Sequence, residues 1–188
     1  MTKKASFITA IIACLPLTPA LSANLDTHSK EGVDIIKKFS DTLKGELQSA
    51  MKSGGPINAV GVCNIKMPEL TSSASSGAWT VSRTSLKLRN PKNKPDTWEL
   101  KTLKMFEEKK AEGTPADKLA YAEVLDVDGK KVFRIMKAIP TGEVCMNCHG
   151  PALNPEVSKK LYELYPDDKA RGFNIDDIRG AFSLKKQL

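Results

Sequence analysis

This sequence lacks several features that mark common protein classes. Histidine occurs only twice in 188 residues, and aromatic residues make up 6% of the chain. No segment after residue 23 approaches the roughly 20 apolar residues that a membrane-spanning helix needs, so we expect no transmembrane segment in the mature chain. Internal repeats and low-complexity regions are also missing. No block of Lys and Arg carries interleaved aromatic residues, and nucleic acid is therefore not an expected partner.

The N-terminus has the pattern of a secretory signal peptide. Two lysines precede an apolar run from Ala5 to Leu17, and small residues follow as far as Ala23. The run is too short to span a bilayer. We therefore expect residues 1–23 to be removed on export to the periplasm, leaving 24–188 as one domain. The alternatives are a permanent N-terminal membrane anchor and a lipoprotein box ending at Cys14, which would leave that cysteine lipidated.

Cysteine is scarce, and its count in the mature chain is odd. Loss of residues 1–23 removes Cys14 and leaves Cys63, Cys145 and Cys148. It also removes two lysines, which lowers the formal net charge from +7 to +5. In an oxidising compartment, a disulfide framework would leave one of the three thiols unpaired. A haem attached through Cys145 and Cys148 also leaves one cysteine over, but it gives Cys63 a candidate function.

The segment Cys145-Met146-Asn147-Cys148-His149 has the C-x-x-C-H spacing of a c-type haem attachment site. Two thiols three residues apart can form thioethers with the two vinyl groups of one porphyrin, and the adjacent His149 is then held facing the iron. A thioredoxin-like site would have no use for His149. A zinc site would need Cys63 as a fourth ligand, and adjacent side chains rarely bind one ion. We therefore predict one covalently bound haem c with His149 as an iron ligand.

The second axial ligand stays open when the residues alone are considered. His28 lies close to the expected cleavage site, where chains usually fray. Methionine is a common ligand in electron-carrying cytochromes and ranks ahead of Cys63 on composition, although both residue types also serve as ordinary core fillers. The available methionines are Met51, Met67, Met105, Met136 and Met146.

Hydrophobic periodicity predicts an α+β domain with an antiparallel sheet and helices beside it. Gly54-Gly55-Pro56 should end the first helix, and Asp128-Gly129 should form a hairpin turn. Helices are predicted over residues 33–52, 97–112 and 155–165, and strands over 57–63, 79–88, 119–127, 131–139 and 179–185.

Four short motifs lie along the chain: Val60-Gly61-Val62-Cys63 with Met67-Pro68 following, Arg83-Thr84-Ser85-Leu86 with Arg89-Asn90-Pro91, the haem motif, and Asp177-Ile178-Arg179 followed by Gly180-Ala181-Phe182-Ser183. Together they resemble a haem-binding, PAS-like domain family called Tll0287-like, or DUF3365. The resemblance runs from about Val33 to Leu184. One departure is Lys66-Met67-Pro68, where the family more often has a small residue before the proline.

This resemblance implies a PAS-like antiparallel sheet flanked by helices and a sensory or redox role. It also implies that Cys63 is the axial ligand opposite His149. Chemistry supports that assignment, because a thiol beside iron is readily deprotonated and becomes a ligand. Fold analogy alone does not give a function, so a sensor would have to signal to a partner protein that the sequence does not identify.

The functional expectation is a periplasmic single-haem sensor of redox state or of a small diatomic ligand. A low-potential electron carrier is the alternative. An enzyme is not expected, because two filled axial positions leave substrate no place on the iron. Arg83 and Arg89 are candidates to pair with haem propionates, although an ordinary solvated role is slightly favoured. A basic stretch could dock an acidic redox partner but is more simply a solvated face; it comprises Lys87, Arg89, Lys92, Lys94, Lys101 and Lys104.

Overall fold

The computed structural model describes residues 19–188, with side chains described from Asn24 onward. The apolar run of the expected signal peptide and Cys14 lie outside the described residues. None of the helices within residues 19–188 has both the length and the apolar character that crossing a membrane requires. The elements are helices α1 (Pro19–Ala74), α2 (Thr97–Ala111), α3 (Met146–His149) and α4 (Pro155–Leu164), and strands β1 (Trp79–Thr84), β2 (Ala120–Val127), β3 (Lys130–Pro140) and β4 (Ile178–Gln187).

Helix α1 is broken into two arms at Gly54-Gly55. Gly54 has φ −165° and ψ 21°, and Gly55 has φ 66° and ψ −164°, so neither is helical. The positive φ at Gly55 is a conformation that glycine adopts at little cost. We call residues 19–53 the N-terminal arm and residues 56–74 the C-terminal arm. The predicted end of the first helix is therefore correct, but a second helix begins at once.

The strand predicted over residues 57–63 is wrong, because this stretch lies in the C-terminal arm. A short apolar run does not distinguish a buried strand from a buried helix. Pro56 occupies the first turn of the new helix, a position that proline favours. Val60 and Met67 are buried seven residues apart, with Cys63 between them, and this is a helical repeat. Cys63 therefore projects from a helix.

The four strands form one antiparallel sheet in the order β1-β4-β3-β2. The predicted hairpin between β2 and β3 is confirmed. Its turn residues Asp128 (φ 53°) and Gly129 (φ 77°) both have positive φ, as a two-residue type I′ turn requires. The predicted α+β class with an antiparallel sheet and flanking helices is confirmed as well.

Helices cover both faces of the sheet because β3 is apolar on both sides. Phe133 and the residues alternating with it pack against Phe39 in the N-terminal arm of α1. Met136 faces the opposite way and packs against Phe106 of α2. Phe133, Met136 and Phe106 are each fully buried. A smaller third cluster joins the C-terminal arm of α1 to α4 and lies beside the C-x-x-C-H segment.

Candidate functional site

A cavity of about 500 Å³ brings together the four residues predicted to hold a haem: Cys63, Cys145, Cys148 and His149 all line it. The C-terminal arm of α1 forms one wall, and the C-x-x-C-H segment forms another. The ends of β1 and β4 contribute Arg83 and the residues around Gly180. The volume lies within the roughly 300–1,000 Å³ range of small-molecule and cofactor sites.

The C-x-x-C-H segment is a tight 3₁₀ turn, Glu143–Cys145, that continues directly into α3. Cys145 and Cys148 are free thiols and half-buried. The Gly142 backbone N–H donates to Cys145 Sγ at 3.4 Å. Burial raises the pKa of Cys148, and Arg89 only partly opposes this rise. Both thiols therefore reach the cavity, and Cys148 is protonated at neutral pH.

The imidazole of His149 is oriented by a backbone carbonyl. Nδ1 lies 2.7 Å from Ala170 O, and because a carbonyl can only accept, Nδ1 carries the proton. Arg179 Nε lies 3.1 Å from Nδ1 and 3.3 Å from Nε2, and because Nδ1 carries the proton, Nε2 is the nitrogen with a lone pair to accept from it. Burial, followed by the positive charges of Arg179 and Arg89, lowers the pKa of His149 well below its usual value. His149 is thus neutral, as an iron ligand must be.

Cys63 is half-buried on the wall formed by the C-terminal arm. Burial raises the pKa of Cys63, while Arg83 and Arg89 partly oppose the rise. The Cys63 thiol also interacts electrostatically with Cys148, so the C-terminal arm approaches the attachment segment closely. The structure therefore places a protonated thiol in the same cavity as His149.

The other axial candidates divide into two groups. Met67 and Met51 line the cavity and remain alternatives to Cys63. Met136 is fully buried in the core against α2 and is therefore unavailable. His28 lies in the N-terminal arm of α1, with its ring 5.7 Å from the Phe133 ring and its Nδ1 3.2 Å from Lys186 Nζ. The fraying expected at His28 is thus wrong, but its contacts are with the sheet and not with the cavity.

Three arginines give the cavity a positive charge. Arg83, Arg89 and Arg179 all line it, and the favoured interpretation of the first two as solvated surface charges is wrong. Arg89 is paired with Asp168. Among residues 24–188, no carboxylate lies within ion-pair distance of Arg83 or Arg179. Burial, followed by repulsion from Arg89 and Arg83, lowers the pKa of Arg179 to about 9. The cavity is therefore suited to an anionic group.

These residues fit a haem. Two thiols three residues apart are available for thioethers, a neutral imidazole presents Nε2, and a further thiol stands across the cavity. Two guanidinium groups without a carboxylate partner suit the propionates of the porphyrin. Within residues 24–188, no three His, Cys, Asp or Glu side chains are grouped as ligands for a bare metal ion.

Comparison with known proteins agrees with this chemistry. The sequence profile of the Tll0287-like family matches residues 21–186. The chain belongs to the Tll0287-like family. Its fold matches the crystal structure of the cyanobacterial heme-protein Tll0287 with a TM-score of 0.64 at 20% identity, covering 86% of this chain and 95% of that one. A search of curated proteins found no match.

In this Tll0287-like chain, sequence reasoning missed two charged residues next to His149. Arg179 was visible only as part of a matching motif, and Asp168 carried no signal at all. The Asp168 side chain is 1% exposed. Burial alone would raise the pKa of Asp168. The guanidinium of Arg89 and hydrogen bonds from Ala170 N and Arg171 outweigh this effect and hold the pKa below its usual value. Asp168 is therefore an ionised, buried carboxylate.

Proposed function

We propose that this chain is an exported c-type cytochrome with a single haem that senses redox state or a small diatomic ligand, and that it is not an enzyme. Cys145 and Cys148 would hold the haem covalently, and the iron would lie between His149 and Cys63. The observation that supports this most strongly is the convergence of the three thiols and the His149 imidazole on one cationic cavity. The family relationship supports a haem-binding protein.

Each side chain would have one task at this site. A bound haem supplies reversible one-electron chemistry and an iron that accepts axial ligands. His149 presents Nε2 to the iron, because its Nδ1–H is held by the Ala170 carbonyl. Arg83 and Arg179 have no carboxylate partner among residues 24–188 and would offer their guanidinium groups to the propionates. The apolar residues of the C-terminal arm limit access of water to that side of the cavity.

Cys63 is the residue that would respond to a change of redox state. Its pKa is raised by burial, so the thiol must give up a proton to bind ferric iron. Ferrous iron carries less positive charge and holds an anionic thiolate less strongly. With a haem bound, one electron from an external donor would lower the positive charge beside Cys63, whose raised pKa would favour uptake of a proton from solvent, and the site could then accept carbon monoxide or nitric oxide.

The position of Cys63 gives such a release a route to the surface. It lies between the non-helical Gly54-Gly55 break and the end of the C-terminal arm. Ser75, just beyond that end, is bonded to the edge strand β1, where Ser75 Oγ accepts from Val81 N at 2.9 Å. A shift of the C-terminal arm would thus reach β1, and a local ligand change would become a change of surface shape.

Covalent attachment is tested by mass. The full chain, expressed with a c-type maturation system, should have the mass of the mature chain plus one haem and should keep its colour through acid-acetone extraction. The double variant Cys145→Ser/Cys148→Ser is the control and should lose the haem on extraction. Haem that extracts freely from the unaltered protein would contradict the proposal.

Axial ligation is tested by absorption and electron paramagnetic resonance. The ferric protein should be six-coordinate and low-spin with thiolate features, and Cys63→Ser should remove these features while the haem stays attached. Met67→Leu is the matched control, because Met67 lies one turn away on the same cavity wall. Loss of the sixth ligand in Met67→Leu but not in Cys63→Ser would assign the ligand to Met67.

Carbon monoxide separates the two candidate roles. A sensor of this type should bind carbon monoxide in the reduced state and not in the oxidised state, because only reduction frees the Cys63 position. An electron carrier needs the same two ligands in both states and little rearrangement. Reduced protein that binds no carbon monoxide over hours and exchanges electrons rapidly would therefore favour the carrier.

One observation favours the alternative, a low-potential electron-transfer protein. The lysines of the basic stretch remain exposed, and Lys92 lies at the edge of the cavity. Arg89 does not belong to this surface, since it turns inward to Asp168. Such a patch would steer an acidic redox partner. Electron transfer to an acidic acceptor protein should then slow steeply as salt rises, whereas a salt-independent rate would remove this support.

A further inference from the structure

The buried carboxylate of Asp168 holds together the segment that runs past the attachment motif. Asp168 accepts from Arg89 through both oxygens, with Nε–Oδ1 and Nη2–Oδ2 distances of 3.2 Å. It also accepts from Ala170 N at 2.9 Å and from Arg171 Nε at 3.1 Å. Four donors on one carboxylate with a 1% exposed side chain form a fully satisfied polar centre.

This centre is connected to His149 in two ways. Ala170 donates its backbone N–H to Asp168, and its carbonyl, in the next peptide group, lies 2.7 Å from His149 Nδ1. On the other side, Arg89 Nη2 donates to Cys148 O at 2.5 Å. Separately from these two connections, Phe173 N donates to His149 O at 3.0 Å. The carboxylate thus fixes both the carbonyl that orients the imidazole and the backbone that carries it.

We propose that Asp168 is the positioning residue of the iron ligand His149. It holds the Ala170 carbonyl against Nδ1, which fixes the tautomer and the plane of the ring, and it neutralises Arg89 beside the attachment segment. This inference rests on the proposed function, because it assigns a role around a haem ligand. The segment 168–173 is otherwise loop, and it places Asp168 where no element of regular structure needs a carboxylate.

Two physical effects of removing the carboxylate charge act in the same direction. A weaker hold on the Ala170 carbonyl weakens the Nδ1–H bond, which makes Nε2 a poorer donor to ferric iron. Arg89 also loses its counter-ion, so an unbalanced positive charge remains close to the site. Both effects favour the ferrous state. Loss of the ion pair's charge alone would shift the ferric–ferrous equilibrium but leave the hydrogen bond from His149 Nδ1 to the Ala170 carbonyl unchanged.

The experiment compares Asp168→Asn with Arg171→Gln in the full haem-loaded chain. Asparagine keeps the shape and one accepting oxygen, whereas Arg171→Gln removes one half-exposed donor to the same carboxylate and touches neither His149 nor Cys148. With attached haem shown by mass, we expect Asp168→Asn to shift the ferric–ferrous equilibrium about tenfold toward ferrous, or about 59 mV for one electron. Arg171→Gln should shift it less than threefold. Equal potentials in the two variants would overturn the inference.

A second measurement needs no variant. In the unaltered haem protein, the His149 Nδ1–H should be visible by nuclear magnetic resonance and should exchange slowly with solvent, because the Ala170 carbonyl shields it. Rapid exchange would overturn the inference even if Asp168→Asn fails to fold. Failure of the proposed function looks different: the unaltered chain would then carry no attached haem, or its spectrum would lack histidine ligation.

Discussion

Leu161 joins α4 to the helical arm that carries Cys63, and its truncation should loosen the wall of the cavity. The side chain is 0% exposed and packs with Val60 and Val157. Leu161→Ala removes three carbon groups at about 0.8 kcal/mol each, or about 2.4 kcal/mol of transfer free energy. The residual cavity raises the expected loss in the free energy of unfolding to roughly 3–5 kcal/mol.

The neighbouring residue provides the control. Tyr162 lies on the same helix with 69% of its side chain exposed, so Tyr162→Ala should change the free energy of unfolding by no more than about 0.5 kcal/mol. Urea unfolding followed by circular dichroism gives both values, and the Tm of Leu161→Ala should fall by roughly 6–20 °C. If the two variants differ by less than about 1 kcal/mol, Leu161 does not anchor the cavity wall.

Three other perturbations test separate parts of the site. Gly180→Ala should destabilise the fold by about 1–3 kcal/mol, because the added Cβ would collide with the Thr84 carbonyl oxygen. Gly45 is exposed on a helix, and a Cβ there meets no atom within 4 Å, so Gly45→Ala should stabilise the fold by about 0.5–1 kcal/mol. Denaturant unfolding measures both changes. Arg179→Gln removes a cation from the cavity, so a potentiometric titration should show a lower reduction potential, whereas Asp168→Asn should raise it. A higher potential in Arg179→Gln would contradict the positive charge assigned to Arg179. The pKa of Asp168 is lowered in the fold, so its ionised form stabilises the protein above the ordinary pKa of about 4, and this contribution is lost as pH falls through the lower folded value. Acid unfolding curves of Asp168→Asn should therefore be flatter in that range, and parallel curves would count against the buried ion pair.

Local signals in the sequence predicted most of the regular structure correctly. The Asp-Gly turn is one such signal. The start of the helix predicted over residues 97–112 is another, and there Asp96 Oδ1 accepts from Glu99 N at 2.8 Å in a capping box. The C-terminal arm of α1 was missed because the short, mostly apolar segment 57–63 fits a strand and a helix equally well, and only the packing against α4 decides between them.

The same distinction between local and long-range features applies to the candidate site. The C-x-x-C-H motif is local, and Cys63 came from the family resemblance, so all four residues proposed to hold a haem could be named from the sequence. Asp168 and its partner Arg89 are 79 residues apart. No periodicity or motif links such a pair, because the contact exists only after the loop before β4 folds back over the attachment segment. Charged networks of this kind are properties of the tertiary structure.

Strand β4 is the last strand in the chain, yet it lies inside the sheet between β1 and β3. Its contact with β1 joins residues about a hundred positions apart, as in the bond from Ser82 Oγ to Ser183 O with a separation of 101. Without Ile178–Gln187, β1 and the β2–β3 hairpin share no edge. In a chain synthesised from its N-terminus, Cys145 and Cys148 therefore become available before the sheet can close. The topology would therefore leave the proposed haem attachment an interval on an open chain, and folding of the last strand would complete the cavity afterwards.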